Sequence, residues 1–158
     1  MPEYRVGTGF DAHALHGGVP LVLGGVRIDF PRGLAGHSDG DVLAHALVDA
    51  VLGAAGLGDI GSFFPSGDDR FEGADSLDLL REAYRHVREA GYRLVNADCV
   101  LIGEEPRIAA HRDEMRRRLS EALDGGEVNV RATTTDGLGF TGRAEGLAAH
   151  AVALLERA

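Results

Sequence analysis

The chain has 158 residues, is 44% hydrophobic and 26% charged, and carries a formal net charge of −9. That length and composition describe one globular domain, residues 1–158, large enough to bury a core without staples. The acidic balance argues against a general nucleic-acid binder. The single cysteine, Cys99, excludes an internal disulfide, and its apolar surroundings read as a small buried hydrophobe.

No signal-peptide pattern opens the chain and no apolar run approaches a membrane span, so a cytoplasmic location and no membrane partner are expected. Tyr4 to Phe10 reads as a strand leading into Gly7-Thr8-Gly9-Phe10-Asp11-Ala12-His13. Asp11 and His13 are alternate positions, so an extended backbone points both the same way. Leu21–Leu23 and Val26–Ile28 flank Gly24-Gly25, a hairpin signal. Pro31 to Gly36 is then a loop delivering Gly36-His37-Ser38-Asp39-Gly40-Asp41, the stretch that organises the chain.

Ser38 reads as a helix N-cap, with Asp41 three residues on in a pattern like a capping box. A helix from about 39 to 55 follows, with Val42, Leu43, Ala46, Leu47, Ala50, Val51 and Ala54 on one apolar arc. Asp41, His45 and Asp49 recur every fourth residue on the opposite face. Asp11, His13 and His45 together give two imidazoles and one carboxylate, a set that suits a roughly tetrahedral zinc with one position open. Asp49, one turn beyond His45, is placed to accept its other ring N–H; Asp41 could do the same or serve the helix N-terminus. His37 and Ser38 precede the helix, where free amides favour anions.

Gly58-Asp59-Ile60-Gly61-Ser62-Phe63-Phe64-Pro65 reads either as a turn with a core plug at Phe63 or Phe64, or as Asp59 and the Gly61 amide facing a ligand. Residues 66–73 are polar and loop-like. A second helix spans about 75–90, capped by Asp75 or Ser76 and ended by Gly91. Leu94 to Ile102 is a strand, residues 103–106 a turn, and Pro106 opens a third helix to about Leu123. Its Arg112, Arg116, Arg117 and Arg118 read as a solvated face. Val128 to Thr135 is a strand ending in Thr133-Thr134-Thr135-Asp136-Gly137, which looks like a phosphate or polyol site. A last helix is expected over about 144–156. His16, His86, His111 and His150 read as ordinary polar residues. The pattern predicts an α+β fold: a two-layer sandwich with a small, mostly four-stranded mixed sheet, helices on one face and an N-terminal hairpin.

Four motifs in order carry a family resemblance: Gly9-Phe10-Asp11-Ala12-His13; Ala35 to Asp41 with His45; Gly58-Asp59-Ile60-Gly61 with Phe64-Pro65; and Ala132 to Thr135 with Gly139-Phe140-Thr141-Gly142-Arg143. Over essentially its whole length the chain resembles the 2-C-methyl-D-erythritol 2,4-cyclodiphosphate synthases. The resemblance implies an enzyme of the non-mevalonate isoprenoid pathway, acting on 4-diphosphocytidyl-2-C-methyl-D-erythritol 2-phosphate and releasing CMP. It implies a homotrimer with active sites between adjacent subunits, a zinc-type ion, and a second divalent ion, Mg2+ or Mn2+, near Asp136.

By the same resemblance, His37 and Thr134 stabilise the transition state through hydrogen bonds to phosphate oxygens. Ser38, Asp59, Ile60 and Gly61 contact the substrate, Asp59 and Gly61 holding the erythritol hydroxyls, with Phe64, Pro65, Ser66, Gly67 and Asp68 as a loop over the sugar. Gly103, Glu104, Glu105, Pro106, Arg107, Ile108 and Ala109 form the cytidine and diphosphate pocket with Thr133 and Thr135. Phe140 and Arg143 line a cavity on the threefold axis that can hold a prenyl diphosphate; a salt bridge from Arg143 to Glu145 explains that residue equally well. Two positions depart from the family pattern: Asp136 stands where members usually carry Glu, and Arg107 where Lys is frequent. Two other readings stay open: a metal-dependent phosphohydrolase, and a non-enzymatic trimer binding a prenyl diphosphate.

Overall fold

Fourteen residues of one strand and thirteen of one helix form the centre of the molecule. The structure, a computed structural model, describes residues 2–158. Strand β1 (Tyr4–Gly17) is followed by the short hairpin β2 (Leu21–Leu23) and β3 (Val26–Ile28) and by β4 (Arg32–Leu34). Helix α1 (Val42–Ala54), a single turn α2 (Ile60–Phe63) and α3 (Ser76–Glu89) precede β5 (Tyr92–Ile102). Helix α4 (Arg112–Ala122), β6 (Glu127–Thr133), the turn α5 (Gly139–Gly142) and β7 (Gly146–Arg157) complete it.

The main sheet has five strands in the order β4-β1-β7-β5-β6, and β2-β3 form a separate two-stranded sheet. Only β5 and β6 run parallel; the other pairings of the main sheet are antiparallel. Helix α1 lies across β1 and β7, α3 packs on α1, and α4 covers β6. The α+β mixed sheet with helices on one face is therefore as expected, with one strand more.

Two strands of it were not expected: the short β4, inside the segment 31–36 read as a loop, and the C-terminal segment, where a helix was expected. Its Ala- and Leu-rich composition favours a helix, but Leu147, Ala149, Ala151, Ala153 and Leu155 alternate inward and are at most 1% exposed. Tertiary pairing overrides propensity there: β7 is hydrogen-bonded on both sides, to β1 and β5. Its small inward residues also leave room for α1.

Gly7 and Gly9 have the same role on β1. A β-carbon at Gly7 would meet the Ala50 carbonyl oxygen at 2.2 Å, and one at Gly9 the Ala46 carbonyl oxygen at 1.9 Å. Only glycine lets the helix backbone lie this close. The inward face of β1 then continues through Asp11 and His13, which meet the same helix at its first turn.

Helix α1 starts later than expected, and Asp41 rather than Ser38 is its N-cap, accepting from the Ala44 amide at 3.1 Å. Asp41 also accepts from Gly24 and Gly25, at 2.9 and 2.7 Å, and so ties the hairpin turn to the helix. The polar face inferred for α1 is not a solvent face: Asp41 is fully buried and His45 is 8% exposed. The helix is central, so nearly every side of it is covered. Helix α4 starts at Arg112, six residues after Pro106; residues 109–111 form a turn in which the His111 amide donates to the Ile108 carbonyl at 2.9 Å. Its face is mixed: Arg118 pairs with Glu114 and donates to the Gly25 carbonyl.

Candidate functional site

Asp11 and His13 project from β1 and His45 from the first turn of α1, and their ligand atoms converge. Asp11 Oδ2 lies 2.9 Å from His45 Nδ1 and 3.0 Å from His13 Nε2, and the two ring nitrogens are 3.4 Å apart. Three ligands about 2.1 Å from a tetrahedral ion stand about 3.4 Å from one another. The donor set and its triangle therefore fit one zinc-type ion, and it is the one such group among the described residues. Burial raises the Asp11 carboxyl, but hydrogen bonding from His13 and the facing His45 ring outweigh it and hold it at about 2. The same bond to Asp11 raises the His13 ring.

These residues lie in a pocket of about 260 Å3 with His37, Ser38, Asp49, Ile60, Gly61, Phe64, Ser66, Phe71 and Leu79. One end is charged and the other apolar. Asp49 does not orient His45; it accepts from the Ile60 amide at 2.8 Å and so docks α2 onto α1. Burial chiefly raises the Asp49 carboxyl. His45 Nε2 instead faces the hydroxyls of Ser76 at 2.8 Å and Ser38 at 2.9 Å. The reason is that α3 enters here: Asp75 caps it by accepting from Leu77 at 2.9 Å, which leaves the Ser76 side chain free to turn toward α1.

Asp59 caps α2, accepting from the Ser62 amide and hydroxyl at 2.9 and 2.8 Å. Ile60 and Gly61 line the pocket, whereas Asp59 lies outside its wall. Of the expected loop over the sugar, Phe64 and Ser66 line it and Pro65, Gly67 and Asp68 do not. His37 Nε2 donates to the Asp68 carbonyl at 2.9 Å, and the Gly73 amide donates to the His37 carbonyl at 2.7 Å. His37 thus ties down Asp68 and Gly73, on either side of the 3-10 turn Asp69–Phe71.

The second half of the expected site forms a separate pocket of about 320 Å3 at the C-terminal ends of β5 and β6. Gly103, Glu104, Pro106, Arg107, Ile108, Ala109, Arg112, Ala132, Thr133 and Thr134 line it. Glu105 is exposed beside it, and Glu104 accepts from the Gly137 amide at 3.2 Å, tying the two loops together. Asp136 is exposed with a positive φ of 52° and accepts from the Thr134 hydroxyl at 3.2 Å. The Thr135 hydroxyl donates to the Leu138 carbonyl at 2.7 Å. Arg143 pairs with Glu145 at 3.0 Å, and Phe140 is exposed.

The sequence reading missed Ser76 as a partner of His45, Phe71 and Leu79 as the pocket's apolar wall, and Arg112 in the second pocket. The Nε of Arg112 is buried with no hydrogen-bond partner among the described residues. Phe71 ends a single 3-10 turn (Asp69–Phe71) in a segment without sequence periodicity, so nothing local marked it.

The model of the YgbB family matches residues 4–156. The chain belongs to the YgbB family. The 2-C-methyl-D-erythritol 2,4-cyclodiphosphate synthase of Moorella thermoacetica is 60% identical over 153 residues, covering 96% of this chain and 94% of that protein. Among solved structures, the bifunctional IspDF of Campylobacter jejuni matches with a TM-score of 0.95 and 44% identity; the match covers all of this chain and 43% of that one. IspF of Plasmodium falciparum, in a complex with CDP, matches with a TM-score of 0.84 and 31% identity, over 98% and 96% of the two chains. The YgbB-family match thus spans both pockets and the strands that carry them.

Proposed function

We propose that this chain converts 4-diphosphocytidyl-2-C-methyl-D-erythritol 2-phosphate to 2-C-methyl-D-erythritol 2,4-cyclodiphosphate and CMP, in the non-mevalonate isoprenoid pathway. An oxygen of the 2-phosphate bonds to the β-phosphorus. The bond from that phosphorus to the α–β bridging oxygen breaks, and CMP leaves with that oxygen and its electron pair. The observation that carries the reading is the convergence of Asp11, His13 and His45 at the charged end of an otherwise apolar pocket.

Two negative phosphates must meet, so the barrier is repulsion plus the ordering of a flexible chain. Asp11, His13 and His45 would hold a zinc-type ion, which supplies positive charge against the diphosphate when bound. Asp136 would serve a second ion, Mg2+ or Mn2+. The Phe64, Phe71 and Leu79 wall excludes water and folds the erythritol chain back on itself, and the Ile60–Gly61 turn, held by Asp49 and Asp59, binds its hydroxyls. His37 and Thr134 donate hydrogen bonds to the reacting phosphates, His37 by exchanging its bond to the Asp68 carbonyl. Backbone groups of 103–109 read the cytosine, with Thr133 and Thr135 at the diphosphate.

A homotrimer completes the site in this reading. Asp11, Ala149, Leu101 and Ala132 form one row across the sheet. Its ends are three strand spacings apart, about 14 Å, and the two pockets share no residue. The outward sheet face shows Tyr4, Val6, Phe10 and Val152, all at least 36% exposed. Neighbouring copies would cover that face and bring the metal pocket of one subunit to the nucleotide pocket of the next, with Phe140 and Arg143 near the axis and open to a prenyl diphosphate. The enzyme would work in the cytoplasm.

Mass analysis after incubation with the cytidyl substrate and divalent ions tests the reaction. Cyclic diphosphate with CMP is expected. Inorganic phosphate would make it a phosphohydrolase, and no turnover a binding protein. Light scattering should give three times the 16.7 kDa chain mass.

A further inference from the structure

The hydroxyl of Ser76 lies between His45 and Asp39, and it is fully buried. Asp39 Oδ1 accepts from the Ser76 hydroxyl, Asp39 Oδ2 accepts from the Ser76 amide at 2.9 Å, and the Asp41 amide donates to Asp39 Oδ1 at 3.1 Å. The carboxylate has no hydrogen to give, so the one hydrogen on Ser76 Oγ points at Asp39. Ser76 Oγ therefore meets His45 Nε2, 2.8 Å away, as an acceptor. That fixes a hydrogen on Nε2 and leaves the lone pair of His45 on Nδ1, the nitrogen that faces Asp11.

We infer that Asp39 and Ser76 are positioning residues that set the tautomer of His45 and so prepare Nδ1 to bind a cation. The consequence is visible at the other side of the ring. With the hydrogen on Nε2, His45 Nδ1 and Asp11 Oδ2 are two acceptors 2.9 Å apart. Two acceptors at that distance repel unless a cation lies between them. The relay thus makes the triad unfavourable without a positive charge and favourable with one. A metal-binding imidazole commonly gives its other N–H to a carboxylate or carbonyl, and loss of such a partner weakens metal affinity by about 10–100-fold. Here the carboxylate acts through a serine. Ser38, 2.9 Å from the same nitrogen, is the competing acceptor; its own hydrogen is free to point at Ser76 Oγ, 3.3 Å away.

The inference rests on the metal reading of the triad, but its first test does not use metal. Long-range 1H–15N NMR of the metal-free protein at about pH 8–9, where an ordinary imidazole is neutral, reads the tautomer of His45 directly. The expected result is protonated Nε2 and bare Nδ1. A proton on Nδ1 in the wild-type protein overturns the proposal, whether or not any variant folds. Ser76→Ala should mix the two tautomers and weaken zinc binding, measured by chelator competition, about 10–100-fold, and Ser76→Thr should restore both. An unchanged tautomer in Ser76→Ala, or a change in Ser38→Ala alone, assigns the role elsewhere and overturns the relay. Absence of zinc binding in the wild type, with the tautomer as expected, would refute the metal reading and leave the relay standing.

Discussion

The backbone of Gly9 lies against the carbonyl of Ala46 so closely that a β-carbon at residue 9 would stand 1.9 Å from that oxygen. The contact seats α1 on β1 and sets the distance from His45 to Asp11 and His13. Since the neighbour is helix backbone, it cannot rotate away. Gly9→Ala should therefore lift the first half of α1 and cost about 1–3 kcal/mol or more of stability. For a chain of this size that is a fall in Tm of at least about 2–4 °C, readable by calorimetry. Zinc affinity should fall with it. A variant as stable as wild type would mean that α1 has room the packing does not show.

Asp41 gives a pH dependence with a definite sign. Burial raises its carboxyl most, the Asp39 carboxylate adds to this, and the amides of Gly25, Ala44 and Gly24 pull it down; the net result is about 6. An unfolded Asp titrates near about 3.9. Between those values the folded protein binds the proton more tightly than the unfolded chain, so this group's contribution to stability falls as pH rises from about 4 to 6. Outside that window its contribution is flat. Asp41→Asn removes the titration and leaves the Gly25 amide without its carboxylate acceptor, a loss of about 1–3 kcal/mol. Urea unfolding of both proteins across pH should show the wild-type advantage shrinking as pH rises. An advantage that widens instead would mean that the amides, not burial, control Asp41.

How much of this was legible can be judged residue by residue. Asp11, His13 and His45 were readable because each rests on a local rule: alternation in a strand, then a helix start thirty residues on. The hairpin at Gly24-Gly25 was readable for the same reason. The C-terminal strand was not, since Ala, Leu and Glu favour helix and only pairing with β1 and β5 decides otherwise. The assignment of Asp49 to His45 failed on a similar point. Helical spacing places the two on one side, but α2 brings the Ile60 amide to Asp49 first. Ser76 was beyond local rules altogether: it lies 31 residues from His45, and its role depends on which residue caps α3.

Asp136 follows Thr133, Thr134 and Thr135 just beyond the end of β6. It is exposed, and its carboxylate accepts from the Thr134 hydroxyl. If it serves the second ion, directly or through a water, Asp136→Asn should bind zinc as wild type does and lose most of its turnover. Asp136→Glu should retain turnover at lower magnesium than wild type, because the longer side chain reaches further. Titration of activity against magnesium checks both. Equal activity of all three proteins across the titration would remove Asp136 from the chemistry.

His37 separates metal binding from phosphate binding. Its Nε2 donates to the Asp68 carbonyl rather than facing the Asp11, His13 and His45 triangle, yet its side chain lines the same pocket. In the proposed reading Asp11, His13 and His45 fill three positions of a tetrahedral ion, and the fourth must stay open for substrate. A donor lining the same pocket as the metal group is suited to a phosphate oxygen whose charge grows during the reaction. An interaction made mainly in the transition state lowers turnover when removed and changes ground-state binding little. His37→Ala should keep zinc and CDP affinity and lose on the order of 10²–10³-fold in kcat, the size of losing one oxyanion donor. Because the ring also ties down the 64–73 loop, His37→Gln, which keeps a donor, should recover part of that loss. Loss of zinc in the alanine variant would move His37 into the metal shell. A raised KM with unchanged kcat would reduce it to an anchor for the loop.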